Sequence, residues 1–266
     1  MNPIINGTRN RTILLISGGP GFPSVYLEPI ANYYKTDYEI VTYAPLFEIE
    51  SDYSIEKAII ELEQVLETGC TNDIVILGHS FGGYIALNYF LSKKSSKKVS
   101  GLICSNTTYS FKKYSENLQN LRGKLPEDLN RQFQRFEIEE NFGEVFFDLF
   151  MREWAPKHWC KVPFPPELSE ALAQFNPSIY GHFLGENLLD LTGTLICNSS
   201  LDLTNSIDVP SLFICGDEDV IFEEDVLMMA KETNGSHFVC ARSAHFPFFE
   251  NPRAFFKRTD SFLNSL

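Results

Sequence analysis

The chain has 266 residues, of which 44% are hydrophobic and 21% charged, proportions typical of a folded globular protein rather than a disordered one. An excess of acidic residues gives a formal charge of −13, which argues against general binding to nucleic-acid phosphates. No apolar run reaches the ~18 residues of a membrane-spanning helix, and residues 1–11 lack the pattern of a secretory signal. We therefore expect a cytoplasmic protein that binds neither nucleic acid nor a membrane.

In the first part of the chain, short β-rich runs alternate with segments of helical periodicity. The runs at 12–17, 39–43, 73–77 and 99–104 predict strands, and helices are expected from Ser54 onwards and over 81–91. Continuous apolar strands separated by helices are typical of a parallel sheet that is covered on both faces. The sequence therefore predicts an α/β fold.

The middle of the chain has a different pattern, because strand-like runs nearly vanish and aromatic residues recur at helical spacing. Residues Phe142, Val145, Phe146, Leu149 and Phe150 follow the i, i+3, i+4, i+7, i+8 spacing of an amphipathic helix. Strand-like runs resume at 211–215 and 237–241, with helices over 223–232 and from Pro252. We therefore expect an α/β core formed by 1–108 and 206–266, with a helical cap inserted at 109–205.

The sharpest functional motif is Gly78-His79-Ser80-Phe81-Gly82, which stands between a predicted strand and a predicted helix. In this context G-x-S-x-G places a nucleophilic serine on a sharp strand-to-helix turn. The amide dipoles of the following helix can then stabilise a developing negative charge. The alternative is a glycine-rich turn with a structural role only. The motif predicts that Ser80 is a nucleophile.

A serine hydroxyl needs a base that is oriented by an acid. Of the five histidines, His245 alone follows the last predicted strand, on a loop at the sheet edge where such folds carry their sites. The segment Gly216-Asp217-Glu218-Asp219 follows another strand at that edge, so all three acidic residues are candidates for the acid. A solvated surface histidine and a solvated acidic turn are the alternatives.

These motifs resemble those of the α/β-hydrolase superfamily, whose triad follows the chain order serine, acid, histidine. Within it, the chain is most similar to the proline iminopeptidase group. That group has HGGPG after its first central strand, and Ser17-Gly18-Gly19-Pro20-Gly21 stands here in its place, with Ser17 for the histidine. The resemblance implies a mostly parallel sheet of six to eight strands with helices on both faces and an inserted helical cap.

The resemblance also implies roles for individual residues. The nucleophile is Ser80, the base is His245, and the family's G-x-x-D loop selects Asp219 as the acid. Two backbone N–H groups, those of Gly19 and Phe81, would form the oxyanion hole. No cofactor or metal is expected, because the sequence contains no P-loop, no G-x-G-x-x-G turn after a strand and no H-E-x-x-H motif.

The segment that binds substrate in the family differs here at one position. Proline iminopeptidases carry a cap glutamate thought to bind the free amine of the substrate, and Leu188 stands at that position. The nearby Glu186 either replaces it or is an exposed charge at a helix end. The cap aromatic residues must first bury the cap, and Phe146 and Trp154 are candidates for the pocket wall.

Three functions are compatible with these residues. The leading one is an aminopeptidase or amidase of proline iminopeptidase type, which acts on a small molecule or short peptide through an acyl-enzyme. The second is a capped carboxylesterase for small apolar acyl groups, favoured by Leu188 and the aromatic cap. The third is a ligand-binding protein without turnover, against which the complete triad argues. Fold alone does not decide among them.

Overall fold

The computed structural model describes residues 11–45, 47, 53–70, 73–92, 99–198, 200–204 and 206–266. Of the predicted domain limits, residues 1 and 205 lie outside these ranges. No helix in these ranges has both the length and the apolar character that a membrane span requires.

Within the described residues, six parallel strands form one sheet in the order β2-β1-β3-β4-β5-β6. The strands are β1 Arg11–Ile16, β2 Glu39–Tyr43, β3 Asp73–His79, β4 Val99–Ser105, β5 Ser211–Gly216 and β6 Ser236–Cys240. Every neighbouring pair is parallel, so the carboxyl ends of all six strands meet at one edge, where α/β sheets bind ligands.

The helices cover both faces of the sheet, as the buried side chains of the strands show. Leu14 and Ile16 belong to one buried cluster, while Ile13 and Leu15 belong to a second, because successive strand side chains point to opposite faces. The helices are α1 Glu28–Tyr34, α2 Ile55–Gly69, α3 Phe81–Ser92, α4 Phe111–Arg122, α5 Glu127–Ile138, α6 Glu144–Glu153, α7 Ala155–His158, α8 Pro166–Ala173, α9 Pro177–Leu184, α10 Glu223–Glu232, α11 Pro247–Glu250 and α12 Pro252–Leu263. The predicted α/β architecture is confirmed.

Two differences from the predicted elements occur at strand ends. Strand β3 continues through Gly78 and His79, which pair with Cys104 and Ser105 of β4, although their sequence resembles a turn. Strand β1 ends one residue early, at Ile16, although the Ser17 N–H still donates to the carbonyl of Tyr43 at 2.9 Å; the Ser17 hydroxyl donates to the carbonyl of Phe22 at 2.9 Å across the following loop.

Between β4 and β5, the described chain contains helices α4 to α9 and no strand. The aromatic face predicted there is correct for Phe146 and Phe150, which are buried, and wrong for Val145, which is 69% exposed. Helix α6 begins only at Glu144. Phe142 therefore lies before the helix and does not share a helical face with Phe146 and Phe150. The limits 109 and 205 of the inserted segment stay a prediction.

The turn from β3 to α3 packs against the end of β1 with no space for a side chain. A Cβ atom on Gly82 would lie 2.3 Å from the carbonyl oxygen of Ile16, and one on Gly78 would lie 2.6 Å from the Cα atom of Gly83. Such distances are far below van der Waals contact with backbone atoms that cannot yield. These glycines therefore let α3 begin directly beside β1.

We expect Gly82→Ala to lower the free energy of unfolding by at least about 1–3 kcal/mol, since the methyl group forces two backbones apart. The matched control is Gly181→Ala in helix α9, where the nearest atom to an added Cβ is a side-chain carbon 3.9 Å away. That change should be neutral or stabilising by up to about 1 kcal/mol. Urea denaturation of both variants checks this, and equal stability of the two would contradict the close-packing argument.

Candidate active site

Ser80 is the single residue between β3 and α3, and its backbone has a φ of 53°. This left-handed conformation is unfavourable for any residue except glycine and must be imposed by its surroundings. The Ser80 N–H donates to the carbonyl of Ser105 at 2.8 Å. Its own carbonyl accepts from the N–H of Gly83 at 3.0 Å and from the hydroxyl of Thr107 at 3.1 Å. Strand β4 and the first turn of α3 thus hold the serine in place.

Three of the predicted residues form one chain of hydrogen bonds. His245 Nε2 lies 3.0 Å from Ser80 Oγ, and His245 Nδ1 lies 2.9 Å from Asp219 Oδ1. An ionised carboxylate only accepts, so Nδ1 carries the proton and the Nε2 lone pair faces the serine hydroxyl. In this tautomer the imidazole can accept the serine proton.

Asn106 holds the acid and had no signal in the sequence beyond its position after a strand. Its side-chain N–H groups donate to Asp219 Oδ2 at 2.7 Å and to the carbonyl of Ala244 at 3.0 Å. Its own backbone is left-handed, with a φ of 56°, a conformation that asparagine tolerates better than most residues. Asn106 therefore fixes both Asp219 and the loop that carries His245.

The other two acidic residues of the loop have different partners. The carboxylate of Asp217 accepts from the N–H groups of Arg242 and Ser243 at 2.9 and 3.0 Å, which closes a turn. Glu218 forms an ion pair with Lys161 at the surface. Only Asp219 of the three contacts His245.

The loop around His245 is held by the half-buried carboxylate of Glu250. Glu250 Oε2 accepts from the N–H groups of Ala244 and Phe246 at 2.9 and 3.0 Å. The N–H of His245 donates to the carbonyl of Trp159 at 3.0 Å. Burial raises the pKa of Glu250, against the effect of the N–H donors. Its only sequence signal was a place in the segment 243–252 that resembles the family.

His79 connects the serine turn to two other loops rather than packing locally. Its Nε2–H donates to the carbonyl of His245 at 2.8 Å, and its Nδ1 accepts from the hydroxyl of Tyr26 at 2.9 Å. That hydroxyl in turn accepts from the N–H of Gly18 at 2.6 Å. Burial, and then the neighbouring His245, lower the pKa of His79, so the ring is neutral and both its nitrogens have partners.

The two predicted oxyanion donors lie beside Ser80. Phe81 is the first residue of α3, so its N–H has no acceptor within the helix. Gly18 packs so closely on the serine that a Cβ there would lie 2.7 Å from Ser80 Cβ, which brings Gly19 to the same place. Gly19 and Phe81 both line the cavity at Ser80, and neither N–H has an acceptor in the described part of the chain.

A cavity that is partly open to solvent lies in front of Ser80. Its walls are mostly aromatic, with contributions from Phe22, Phe147, Phe150, Trp154, Trp159 and Phe175. The predicted wall residues Trp154 and Leu188 both line it. Such a space, apolar with a few convergent polar groups, is typical of a small-molecule site.

The structure places the other two predicted wall residues, Phe146 and Glu186, elsewhere. The ring of Phe146 packs against those of Phe133, Phe136 and Phe142, with centroids 5.3 to 6.0 Å away. Glu186 follows a glycine with a φ of 94° that ends helix α9, and its side chain is exposed. The assignment of Phe146 to the pocket wall is therefore corrected, and Glu186 is an exposed residue after a helix end, which was one of its two predicted alternatives.

A family model described as the alpha/beta hydrolase fold matches residues 11–252. The chain belongs to the α/β-hydrolase family. This α/β-hydrolase is 27% identical over 255 residues to a proline iminopeptidase of Chitinophaga pinensis, with 90% of this chain and 84% of that protein covered. A proline iminopeptidase of Saccharolobus solfataricus is 24% identical, with 97% and 86% covered.

Solved structures give the same fold. The crystal structure of VinJ superposes with a TM-score of 0.88 at 24% identity, covering 97% of this chain and 91% of that one. A proline iminopeptidase of Mycobacterium smegmatis superposes with a TM-score of 0.85 at 21% identity, covering 96% and 90%. The predicted resemblance of this α/β-hydrolase to proline iminopeptidases is confirmed.

We expect Asp219→Asn in this α/β-hydrolase to lower kcat by about 10³–10⁴-fold, because the amide cannot hold the required tautomer of His245 or stabilise its protonated form. Asp217→Asn should lower kcat by less than about tenfold, since Asp217 does not contact His245 and the amide oxygen can still accept from one of the two N–H groups of the turn. Steady-state kinetics with any cleaved substrate measure both. Equal losses would mean that the orienting acid is another residue.

We expect Tyr26→Phe to reduce the free energy of unfolding by about 1–3 kcal/mol, because the Gly18 N–H and His79 Nδ1 lose their shared partner in a buried place. Tyr33→Phe is the control, since that hydroxyl binds Asp260 at the surface and its loss should cost no more than about 0.5 kcal/mol. Denaturant titrations of both variants measure the difference. A Tyr26→Phe protein as stable as the control would show that the hydrogen bonds of the Tyr26 hydroxyl with Gly18 and His79 do not stabilise the fold.

Proposed function

We propose that this α/β-hydrolase is a serine hydrolase, and specifically an aminopeptidase or amidase of proline iminopeptidase type for small substrates with an N-terminal amine. The observation that carries the proposal is the hydrogen-bonded series of Ser80, His245 and Asp219 at the wall of an aromatic cavity. The substrate class is supported by relatives that are named proline iminopeptidases.

In the proposed mechanism, His245 Nε2 removes the proton from Ser80 Oγ as the oxygen attacks the carbonyl carbon of the substrate. The resulting oxyanion accepts hydrogen bonds from the N–H groups of Gly19 and Phe81. Asp219 stabilises the imidazolium, which then gives its proton to the leaving amine. A water molecule, deprotonated by the same imidazole, hydrolyses the acyl ester and restores Ser80.

The helical segment 109–205 acts in this proposal as a cap that selects the acyl group. Phe150 and Trp154 lie on this segment and line the cavity together with Phe22 of the core. Aromatic walls favour a compact apolar acyl group, with about 25 cal/mol gained for each Å² of apolar surface removed from water. A prolyl ring has this character and is the first acyl group to test.

A carboxylesterase is the second candidate, and one specific observation favours it. Leu188 lies in the cavity wall at the position of the family's amine-binding glutamate, while Glu186 is exposed outside the cavity. An acyl group without an amine would leave no charged or polar group unpaired against such a wall.

The test combines a covalent probe with matched substrates. A fluorophosphonate should add once to the protein, at Ser80 by peptide mapping, and Ser80→Ala should prevent labelling and lower turnover by several orders of magnitude. L-prolyl arylamide should be cleaved, and its N-acetyl derivative should not. Esters cleaved faster than either amide, with no effect of acetylation, would favour the esterase. A folded protein that is neither labelled nor active would point to a binding protein.

A further inference from the structure

Two tyrosines of the cavity wall, Tyr114 of α4 and Tyr180 of α9, have hydroxyl groups without a hydrogen-bond partner among the described residues. Both side chains are half-buried. Among the fully buried tyrosines, the hydroxyl of Tyr34 is paired with Thr259 and that of Tyr43 with the carbonyl of Ala58. Buried phenols normally find a partner. The two unpaired hydroxyls are not sealed within protein, so they are available to a ligand in the cavity.

The two phenols line the same cavity as Ser80, His245 and Asp219, and both are neutral. Burial raises the pKa of Tyr180. Burial raises the pKa of Tyr114 well above its usual value, and the nearby Tyr180 and Asp219 add to the effect. Each phenol can therefore both donate and accept a hydrogen bond over the whole physiological pH range.

Of the described residues that line the cavity, Asp219 is the only one with a carboxylate. Its oxygens already accept from His245, Val220 and Asn106. His158 is neutral, because burial lowers its pKa, and its Nδ1–H donates to the carbonyl of Glu218. A substrate ammonium group would therefore find no free anion in the wall.

Desolvation without a counterion lowers the pKa of a fully buried amine by up to about 3–5. A free α-amino group has a pKa of only about 7.7–8.0 in water, so roughly one molecule in ten is already neutral at pH 7. A site that binds only the neutral amine thus loses about tenfold in apparent affinity at pH 7. A site that buries the ammonium without a counterion loses far more.

We propose that Tyr114 and Tyr180 form the binding site for the N-terminal amine of the substrate and that they bind this amine in its unprotonated form. One phenol donates to the nitrogen lone pair, and an amine N–H donates to the oxygen of the other. The inference rests on the proposed aminopeptidase function, and it assigns to two neutral groups the task for which the family's glutamate is absent at Leu188.

The test compares two substrates that differ only at the amine: L-prolyl arylamide and cyclopentanecarbonyl arylamide, with the same activated leaving group. Apart from the two phenols, the titratable groups of the cavity wall are Tyr26, His79, His158, Asp219 and His245. Their titration affects both substrates alike and cancels in the ratio of the two kcat/KM values. Below the pKa of the substrate amine, that ratio should increase about tenfold each time the pH is raised by one unit. Above this pKa the ratio should be constant. A ratio that is flat below this pKa and falls above it would mean that the ammonium is bound, which would overturn the inference.

Substitutions locate the effect. Tyr114→Phe and Tyr180→Phe should each lower the ratio of kcat/KM values about two- to tenfold, and Tyr33→Phe, at the surface, should leave it unchanged. Leu188→Glu supplies the missing carboxylate and should flatten the ratio at low pH, so that prolyl arylamide is cleaved better below pH 7. If cyclopentanecarbonyl arylamide is cleaved too slowly to measure, Leu188→Glu still tests the inference. The kcat/KM for prolyl arylamide should then stay high to a lower pH in this variant than in the unsubstituted protein.

The outcomes separate the two proposals. Cleavage of prolyl arylamide with a ratio that neither phenylalanine variant changes would overturn the amine site and leave the aminopeptidase function intact. Cleavage of esters but of no arylamide by the unsubstituted protein would overturn the proposed function, and the amine site with it.

Discussion

The left-handed backbone of Ser80 is the constraint on which the site depends. It reverses the chain between β3 and α3 within one residue, which exposes Oγ at the sheet edge and aims the N–H of Phe81 at the same space. The reversal brings the first turn of α3 directly against its neighbours, which requires a residue without a side chain there. A Cβ on Gly83 would lie 1.9 Å from the Thr107 hydroxyl. The conformational cost of ~1–3 kcal/mol for such a residue is offset by the packing of the whole sheet.

Around this turn, polar groups fix the backbones of neighbouring loops rather than side chains alone. The N–H groups of residues 242 to 246 all have acceptors: Asp217 accepts two, Glu250 two, and the carbonyl of Trp159 one. The His245 carbonyl in turn accepts from His79. The imidazole is therefore positioned before any substrate arrives. Preorganisation of this kind avoids reorganising the site during the reaction, which is where enzymes gain most of their electrostatic stabilisation.

The sequence was sufficient to predict the strands, the serine turn and the positions of Ser80 and His245, because these depend on local patterns: apolar runs, glycines at fixed spacing and the chain order of the triad. The residues around Ser80 in the sequence could not reveal the contacts made by Asn106 or Tyr26. Asn106 contacts Asp219 across 113 residues of sequence, and Tyr26 contacts His79 across 53, so neither contact has a local signature.

The pocket residues show the same limit at finer scale. Helical periodicity identifies an aromatic face on α6 but not which aromatic ring turns towards the neighbouring helices and which towards the cavity. Phe146 and Phe150 are both buried, yet only Phe150 lines the cavity. Leu188 likewise lines the cavity, while the turn after Gly185 takes Glu186 outward. Such distinctions depend on where an element begins and on tertiary packing, which a single sequence does not specify.

The charge at the amine end of a substrate also affects the chemical step. In the proposed mechanism, His245 becomes positively charged when Ser80 attacks, and Asp219 is the one carboxylate of the described cavity wall that faces it. A second positive charge in the same cavity would raise the energy of this state by a few kcal/mol at an effective dielectric constant of about 20 and so slow the step. A glutamate beside the ammonium would cancel most of this repulsion, and Leu188 cannot. If the amine is bound in its neutral form, as proposed for Tyr114 and Tyr180, this repulsion does not arise. The proposed amine site and the proposed acyl transfer therefore place the same electrostatic demand on the cavity: one carboxylate has to balance one positive charge.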